Sequence, residues 1–215
     1  MFTDTLQMNK RCVIIGAAPI QTGASHITPD DHVIVCDGGL AYAQAAQIPF
    51  HVLLGDFDSW TQPIPEGNFE TIKLPTEKDD TDLMFAVKLA VSRGYTNFLL
   101  LGVLGGRSDH FLGNLAVGTY IARQGGFCAL LGDGEVIYVL HNNSLTLTPR
   151  VGTTVSVLPL GNELRHVTLT GLYYPLEDAT LTNDFPLGVS NKITQDQINP
   201  VIHIGEGTAA IIISQ

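Results

Sequence analysis

The sequence is poor in basic residues and cysteines and has no long apolar run, and each shortage excludes a class of protein. Eleven Lys and Arg stand against 21 Asp and Glu, a formal charge of −10, which repels a nucleic-acid backbone. Cys12, Cys36 and Cys128 lie in apolar runs without the spacing of a zinc or redox motif, so we expect buried thiols. The stretch from Met1 to Arg11 is too polar for a signal peptide, and no later segment resembles a membrane span. We therefore expect a cytoplasmic protein that binds neither nucleic acid nor membranes.

Several familiar site motifs are also missing. The sequence contains no phosphate-binding G-x-x-x-x-G-K-[ST] loop and no G-x-S-x-G nucleophile elbow. Too little chain follows Gly205-Glu206-Gly207 for a dinucleotide-binding βαβ unit. The histidines outside the motif loops lack metal-ligand spacing and are expected to be structural or surface residues: His26, His32, His51, His141, His166 and His203.

Hydrophobic patterning divides the chain into two parts. The first part alternates short apolar runs with helical patterns, which predicts an α/β, Rossmann-like, mostly parallel sheet with helices on both faces. The predicted strands are Cys12–Ile15, His32–Cys36, Val52–Leu54, Thr71–Leu74, Asn97–Leu101 and Phe127–Leu131, and the predicted helices are Leu40–Gln47, Asp79–Arg93 and Asp109–Gln124. After about Glu135, short runs of Val, Ile, Thr and Leu broken by Gly, Pro and Asn predict a small β-sandwich. We therefore expect a catalytic α/β domain at 1–134 and a β-sandwich domain at 135–215.

Acidic residues and glycines follow the predicted strands, where an open α/β sheet binds its ligands. Asp37-Gly38-Gly39 follows the second strand, the run from Gly55 to Ser59 follows the third, and the run from Gly105 to His110 follows the fifth. A further acidic run, from Glu77 to Asp82, comes before the second helix. One edge of the sheet should therefore collect acids and glycines.

The carboxylates in these runs have a spacing that suits a hard divalent cation. Asp56 and Asp58 are two residues apart in an extended stretch, so they can point to the same side. Asp79 and Asp82 are three apart and are expected on one helical face. Converging carboxylates repel one another unless a metal neutralises them, and Mg²⁺ bound by carboxylates and substrate phosphates meets that need.

The glycines and the two cations of these loops suit phosphate groups. Glycine allows backbone N–H groups to approach phosphate oxygens, and Lys78 and Arg107 supply positive charge. Each cluster alone has a plainer explanation, since Asp79 and Asp109 are typical of helix starts and Asp37-Gly38-Gly39 is typical of a turn. Four such clusters on one predicted edge favour a phosphate site.

These motifs, in this order and spacing, make the chain resemble the bacterial type of the thiamine pyrophosphokinase family along nearly its whole length. The matching runs are Cys36 to Gly39, Gly55 to Ser59, Pro75 to Asp82, Gly105 to His110, Gly171 to Leu176 and Val189 to Asn191. The resemblance implies an α/β nucleotide-binding domain followed by a β-sandwich. It also implies a homodimer whose thiamine site lies where the domains of the two subunits meet.

The resemblance assigns roles to residues position by position. Catalytic roles fall on Asp56, Asp79, Asp82 and Asp109, and Mg²⁺ ligation falls on Asp56, Asp58 and Asp82. The nucleotide would be lined by Asp37, Gly38, Gly39, Ser59, Lys78, Arg107, His110 and Asn114. Thiamine would contact Ser190 and Asn191.

The reaction that the resemblance implies is in-line attack of the thiamine hydroxyl on the β-phosphorus of MgATP, giving thiamine pyrophosphate and AMP. ATP would be the co-substrate, Mg²⁺ the cofactor, and thiamine and a second copy of the chain the other partners. Three alternatives stay open at this stage: a pterin pyrophosphokinase, a metal-dependent phosphoesterase, and a regulatory module that binds nucleotide without chemistry. Ser190-Asn191 argues against the pterin substrate, and the scarcity of histidine near the carboxylates argues against the phosphoesterase.

Overall fold

The structure of the chain is a computed structural model that describes residues 10–58, 63–77, 79–196 and 198–214. Contacts divide the chain into two compact units. Of the described residues, the α/β unit contains 10–117 together with Leu130–Asp133, and the β unit contains Gly118–Ala129 and those from Gly134 onward. Among the described residues, no helix is long and apolar enough to cross a membrane.

The α/β unit is built on parallel strands in the order β4-β3-β2-β1-β5. The strands are β1 (Arg11–Ile15), β2 (His32–Cys36), β3 (Val52–Gly55), β4 (Glu70–Lys73) and β5 (Asn97–Leu101). The helices are α1 (Gly39–Ala45) and α2 (Asp82–Ser92), with a short 3-10 turn at Gly23–His26. Two more elements, α3 (Ser108–Arg123) and β6 (Phe127–Gly132), have residues in both units.

Burial of whole strands explains why the first part folds as an α/β layer structure. Every residue of β3 and β5 is buried, and so is all of β1 and β2 except the first residue of each. Strands that are buried on both faces need helices to cover them, and α1 and α2 pack on β1, β2 and β3. The predicted α/β class is confirmed, as is the burial of Cys12, Cys36 and Cys128.

The β unit consists of two antiparallel sheets, with strand orders β12-β9-β14-β7 and β11-β10-β13-β8. The strands are β7 (Glu135–His141), β8 (Ser144–Thr146), β9 (Thr154–Pro159), β10 (Glu163–Thr170), β11 (Leu176–Thr182), β12 (Asn191–Lys192), β13 (Val201–Glu206) and β14 (Thr208–Ser214). Alternate residues are buried on several strands, as with Val155 and Val157 on β9 and Ile202 and Ile204 on β13, so these strands bury one face, whereas β7 is buried continuously from Val136 to Leu140. The predicted β-sandwich is confirmed.

The start of α2 differs from the prediction. We expected the helix to begin at Asp79, with Asp79 and Asp82 on one helical face, and this is wrong because α2 begins at Asp82. Thr81 is the N-cap: its backbone is extended (φ −70°, ψ 157°) and its hydroxyl accepts a hydrogen bond from the Met84 N–H at 3.2 Å. Asp79 therefore lies in the segment before the helix.

Candidate active site

A cavity of about 590 Å³ opens at the carboxyl ends of β1, β2 and β5, within the α/β unit. Its walls come from the loop after β1, the end of β2, the start of α2, and the loop after β5 with the first turns of α3. The residues that line it are Gly16 to Pro19, Cys36, Asp37, Thr81 to Leu83, Gly102, Val103, Gly105 to Arg107, Asp109, His110, Gly113 and Asn114. This is the edge of the sheet at which ligands bind in open α/β folds.

Asp37 stands at the centre of an acidic cluster at this edge. Its backbone is left-handed (φ 32°) and its N–H donates to the Leu54 carbonyl at 2.7 Å, which fixes it where β2 and β3 end. Burial raises the pKa of the Asp37 carboxyl, and the negative charges of Asp82, Asp56 and Asp58 raise that pKa further. Three carboxylates from two other sequence motifs therefore lie close enough to Asp37 to act on its carboxyl group.

The glycine after β3 makes room for this arrangement. A Cβ atom at Gly55 would lie 2.9 Å from the Asp37 Cβ, so a side chain there would push Asp37 away. Asp56 and Asp58 follow directly, and the Asp58 N–H donates to Asp56 Oδ1 at 3.1 Å. Neither residue lines the cavity itself, but both act electrostatically on Asp37, which does.

The acidic run before α2 places its members in different surroundings. Asp82 is half-buried, lines the cavity, and has its backbone carbonyl 3.8 Å from Cys36 Sγ. Asp80 is held by Lys88, whose ammonium lies 2.7 and 2.9 Å from its two carboxylate oxygens. Asp79 is exposed and lies outside the cavity lining. Of these three carboxylates, Asp82 is the one that the fold directs to the site.

Positive charge enters the cavity wall through Arg107. Its guanidinium contacts the Asp109 carboxylate at 2.6 and 3.1 Å, and both side chains are mostly exposed. The pKa of Asp109 is lowered mainly by the hydrogen bond from Arg107. The His110 N–H also donates to that carboxylate. A phosphate in the cavity would compete with Asp109 for Arg107. The Asn114 amide donates to the Val103 carbonyl at 2.7 Å and so ties α3 to the loop after β5.

The glycines of the predicted nucleotide set serve two different purposes. A Cβ atom at Gly39 would lie 2.5 Å from the Ile15 carbonyl oxygen, and one at Gly38 would lie 2.9 Å from the Ala17 Cβ. These two glycines therefore let α1 pack against the end of β1. Gly105 and Gly106, in contrast, face open space and have left-handed backbones (φ 83° and 70°), so their role is conformational.

The predicted site residues and the residues that line the cavity do not coincide fully. Ser59 and Lys78 lie outside the described residues. The loop from Gly16 to Pro19 lines the cavity and was missed because it carries no charged side chain, although its position directly after β1 was a usable signal.

The predicted thiamine-binding residues lie in the β unit and differ in burial and in the hydrogen bonds that they make. Asn191 is buried, and its side-chain amide is taken up by the backbone: Oδ1 accepts from the N–H groups of Tyr174 and Lys192, both at 2.9 Å, and Nδ2 donates to the Tyr174 carbonyl at 2.6 Å. Ser190 is exposed, has a left-handed backbone (φ 60°) and donates its N–H to Ser156 Oγ at 3.0 Å. Tyr173 and Tyr174 form an exposed edge-to-face pair with ring centroids 4.7 Å apart.

The residues of the acidic cluster fit Mg²⁺ in kind. They offer carboxylate oxygens, which a hard cation prefers, and a divalent charge would offset the effect of the neighbouring negative charges on Asp37. Within the described ranges, no three His, Cys, Asp or Glu side chains are gathered tightly enough to hold a metal ion by themselves. Mg²⁺ commonly takes one or two carboxylates and completes its shell with water and substrate phosphates, so this spacing suits an ion that arrives with a nucleotide.

Comparison with known proteins gives a consistent result for both parts of the chain. The family model described as "Thiamin pyrophosphokinase, catalytic domain" matches residues 25–126, and the model described as "Thiamin pyrophosphokinase, vitamin B1 binding domain" matches residues 142–207. A thiamine pyrophosphokinase of Bacillus subtilis is 27% identical over 172 residues, which cover 76% of this chain and 80% of that protein. A Caenorhabditis elegans thiamin pyrophosphokinase is 26% identical over 157 residues, covering 69% of this chain and 64% of that protein.

The fold comparison agrees. The crystal structure of thiamine pyrophosphokinase from Bacillus subtilis matches with a TM-score of 0.84 at 24% identity, covering 96% of this chain and 99% of that one. None of these matches supports a pterin pyrophosphokinase or a phosphoesterase. The two family models together span more than half of the sequence in the order expected from its motifs. The chain therefore belongs to the thiamine pyrophosphokinase family.

Proposed function

We propose that the cavity at the carboxyl ends of β1, β2 and β5 binds ATP with Mg²⁺ and is the place where pyrophosphate is transferred to the hydroxyl of thiamine. The observation that carries this proposal is that Asp37, Asp82 and Arg107 line one cavity, while Asp56 and Asp58 act electrostatically on Asp37. Acidic groups and a cation around one cavity suit a metal-bound polyphosphate better than a free anion.

The reaction makes one bond and breaks one. The thiamine oxygen forms a bond to the β-phosphorus, the bond from that phosphorus to the α-phosphate oxygen breaks, and AMP leaves. The hydroxyl proton passes to a carboxylate, for which Asp82 and Asp109 in the cavity lining and Asp56 and Asp79 outside it are our candidates. Catalysis then depends chiefly on positioning and charge neutralisation, since little covalent work falls to the protein.

We assign Mg²⁺ to Asp56, Asp58 and Asp82. When bound, the ion would neutralise phosphate charge and hold the polyphosphate in a reactive orientation. In that arrangement the fold holds Asp56 and Asp58 just after the end of β3, Asp82 at the start of α2, and Asp37 beside them.

The remaining nucleotide contacts follow the walls of the cavity. Arg107 would exchange Asp109 for a phosphate oxygen, and the left-handed backbone at Gly105 and Gly106 would offer N–H groups nearby. The full proposed set is Asp37, Gly38, Gly39, Ser59, Lys78, Arg107, His110 and Asn114.

Thiamine is proposed to bind to the β unit at Ser190 and Asn191. The Asn191 side chain is hydrogen-bonded to the Tyr174 backbone, and the exposed rings of Tyr173 and Tyr174 suit a cationic aromatic ring such as a thiazolium. We further propose that 1–134 and 135–215 form the catalytic and thiamine-binding domains, that the working form is a homodimer, and that it acts in the cytoplasm.

The experiment that tests the reaction mixes the purified chain with MgATP and thiamine and separates the products by chromatography. Equal amounts of thiamine pyrophosphate and AMP, formed only when metal is present, are expected. An EDTA control tests the requirement for Mg²⁺, and sedimentation of the same sample measures the oligomeric state. Release of ADP or phosphate with thiamine unchanged would contradict the proposed transfer.

A further inference from the structure

The loop after β1 is an unassigned wall of the cavity. Its residues Gly16 to Pro19 line the cavity, and Ala17 and Pro19 are exposed. A Cβ at Gly38 would lie 2.9 Å from the Ala17 Cβ, so Ala17 lies directly against the turn that carries Asp37. The position of this loop therefore sets the width of the cavity on the side of the acidic cluster.

The near end of the loop is fixed to β5. The Gly16 N–H donates to the Leu101 carbonyl and the Ala18 N–H donates to the Gly102 carbonyl, both at 2.8 Å. The two loops approach so closely that a Cβ at Gly102 would lie 2.6 Å from the Gly16 carbonyl oxygen. Up to Ala18, the backbone therefore has little freedom.

The far end of the loop is held by one carboxylate from a distant part of the sequence. Asp133, the residue after β6, accepts four hydrogen bonds from two consecutive loop residues. Its Oδ1 accepts from the N–H of Gln21 at 3.1 Å and from the N–H and hydroxyl of Thr22 at 3.0 and 2.8 Å. Its Oδ2 accepts from the Gln21 N–H at 3.0 Å.

The charge of Asp133 matches this role. The hydrogen bonds from the backbone and side chain of Thr22 hold the pKa of Asp133 below its usual range, so the carboxylate is ionised at neutral pH. Beyond Thr22, the Ala24 N–H donates to the Tyr42 hydroxyl at 2.7 Å. Pro19 and Ile20 thus lie between a backbone tie at Ala18 and a carboxylate tie at Gln21.

We propose that Asp133 is a positioning residue for the nucleotide, because it holds the loop after β1 in the shape that forms one wall of the cavity. This inference rests on the proposed function, since it takes the cavity as the ATP site. Without Asp133, nucleotide binding would have to order the segment 19–22. The loss of conformational entropy of that segment would weaken the affinity for the nucleotide. A preformed wall removes that cost.

Three variants separate positioning from simple loss of charge. Asp133→Ala removes all four hydrogen bonds. Asp133→Asn removes the charge but keeps Oδ1, which accepts three of the four, and Thr22→Val removes only the hydroxyl bond. Asp184→Ala, at an exposed position in the β unit, is the matched control.

Calorimetry of MgATP binding is the first readout, because it does not depend on turnover. Asp133→Ala should weaken binding on the order of tenfold, while Asp133→Asn and Thr22→Val should stay within about threefold of the wild type. In the thiamine assay, the KM for ATP should follow the same order, with kcat and the KM for thiamine nearly unchanged. Circular dichroism checks that each variant is folded, and if Asp133→Ala is not, Asp133→Ser, which also lacks the carboxylate, takes its place with the same expected loss.

Two outcomes would overturn the inference. If Asp133→Ala binds MgATP as tightly as the wild type, the loop does not need the carboxylate. If Asp133→Asn and Asp133→Ala change the affinity equally, the charge and not the hydrogen bonding is responsible. A wild-type chain that binds MgATP but makes no thiamine pyrophosphate would overturn the proposed reaction instead, and the binding series would still decide the role of Asp133.

Discussion

The side-chain amide of Asn191 brackets the backbone of Tyr174, accepting from its N–H at 2.9 Å and donating to its carbonyl at 2.6 Å. A buried amide with this pattern of bonds holds a chain segment in place. Tyr174 itself is exposed, so its backbone is held in place while its ring remains open to a ligand. Asn191 therefore acts on the proposed thiamine site at least partly through Tyr174.

Asn191→Ala is expected to lower both stability and thiamine affinity. Three hydrogen bonds of a buried residue would be lost, at about 1 kcal/mol each, so the free energy of unfolding of the β unit should fall by roughly 2 to 3 kcal/mol. Ser190→Ala removes only an exposed hydroxyl and should leave stability unchanged while raising the KM for thiamine. Thermal unfolding and steady-state kinetics measure the two effects. An Asn191→Ala variant with wild-type stability would contradict the bracketing role.

Asp82→Asn is expected to lower kcat strongly while the fold is kept, because it removes a charge of the acidic cluster that lines the cavity. Loss of a central charged group in phosphoryl transfer reduces kcat by about a thousandfold. The matched control is Asp80→Asn, two residues away, which removes an exposed ion pair with Lys88 worth at most about 1 kcal/mol. Thiamine pyrophosphate formation measures both variants. Similar activities in the two variants would remove Asp82 from the catalytic set.

Sequence patterns predicted the strands well because β1, β2, β3 and β5 are apolar and buried after their first residues, so local composition and tertiary burial agree. The start of α2 was less predictable. All four residues from Asp79 to Asp82 are of types that can cap a helix. In the structure Thr81 is the N-cap, and the Asp80 carboxylate is paired with Lys88 instead.

The site was predictable in its acids and much less so in its supports. Asp37, Asp56, Asp58 and Asp82 stand out in the sequence because charge near strand ends is a visible signal, and the structure places Asp37 and Asp82 in the cavity lining. Asp133 could not be predicted in this way, since it lies 111 residues from Thr22 in the sequence and only the fold brings the two together. The hydrogen bonds between the Asn191 side chain and the Tyr174 backbone could not be predicted for the same reason.

Gly113→Ala should stabilise the protein and weaken nucleotide binding at the same time. Gly113 lies inside α3 and lines the cavity, and a Cβ there would meet nothing within 4 Å. Alanine should therefore raise the free energy of unfolding by about 0.5 to 1 kcal/mol through helix propensity. The added methyl group would narrow the cavity and raise the KM for ATP. Leu112→Ala, at the neighbouring exposed position outside the lining, is the control, and an unchanged KM in Gly113→Ala would place the nucleotide elsewhere.

Acidification should destabilise the α/β unit through His32. Its ring stacks on the Tyr95 ring with centroids 5.1 Å apart, and its centroid lies 4.6 Å from that of the His51 ring. The buried His32 Nε2 has no hydrogen-bond partner among the described residues. Burial, followed by the charges of His51 and Arg93, lowers the pKa of His32 below its usual value of about 6.5, against an opposing effect of Glu70. The unfolded chain then takes up a proton before the folded chain does, so stability is complete above about pH 6.5 and falls as the pH drops below it.

His32→Phe keeps a stacking ring at this position and removes the titration. The melting temperature of the wild type, followed from pH 7.5 to 5.5, should fall more steeply than that of this variant. His203→Ala, at an exposed position in the β unit, serves as the control and should retain the wild-type slope. Parallel melting curves for the wild type and His32→Phe would show that protonation of His32 does not set the acid sensitivity, because the stacked ring would then be stable in both charge states.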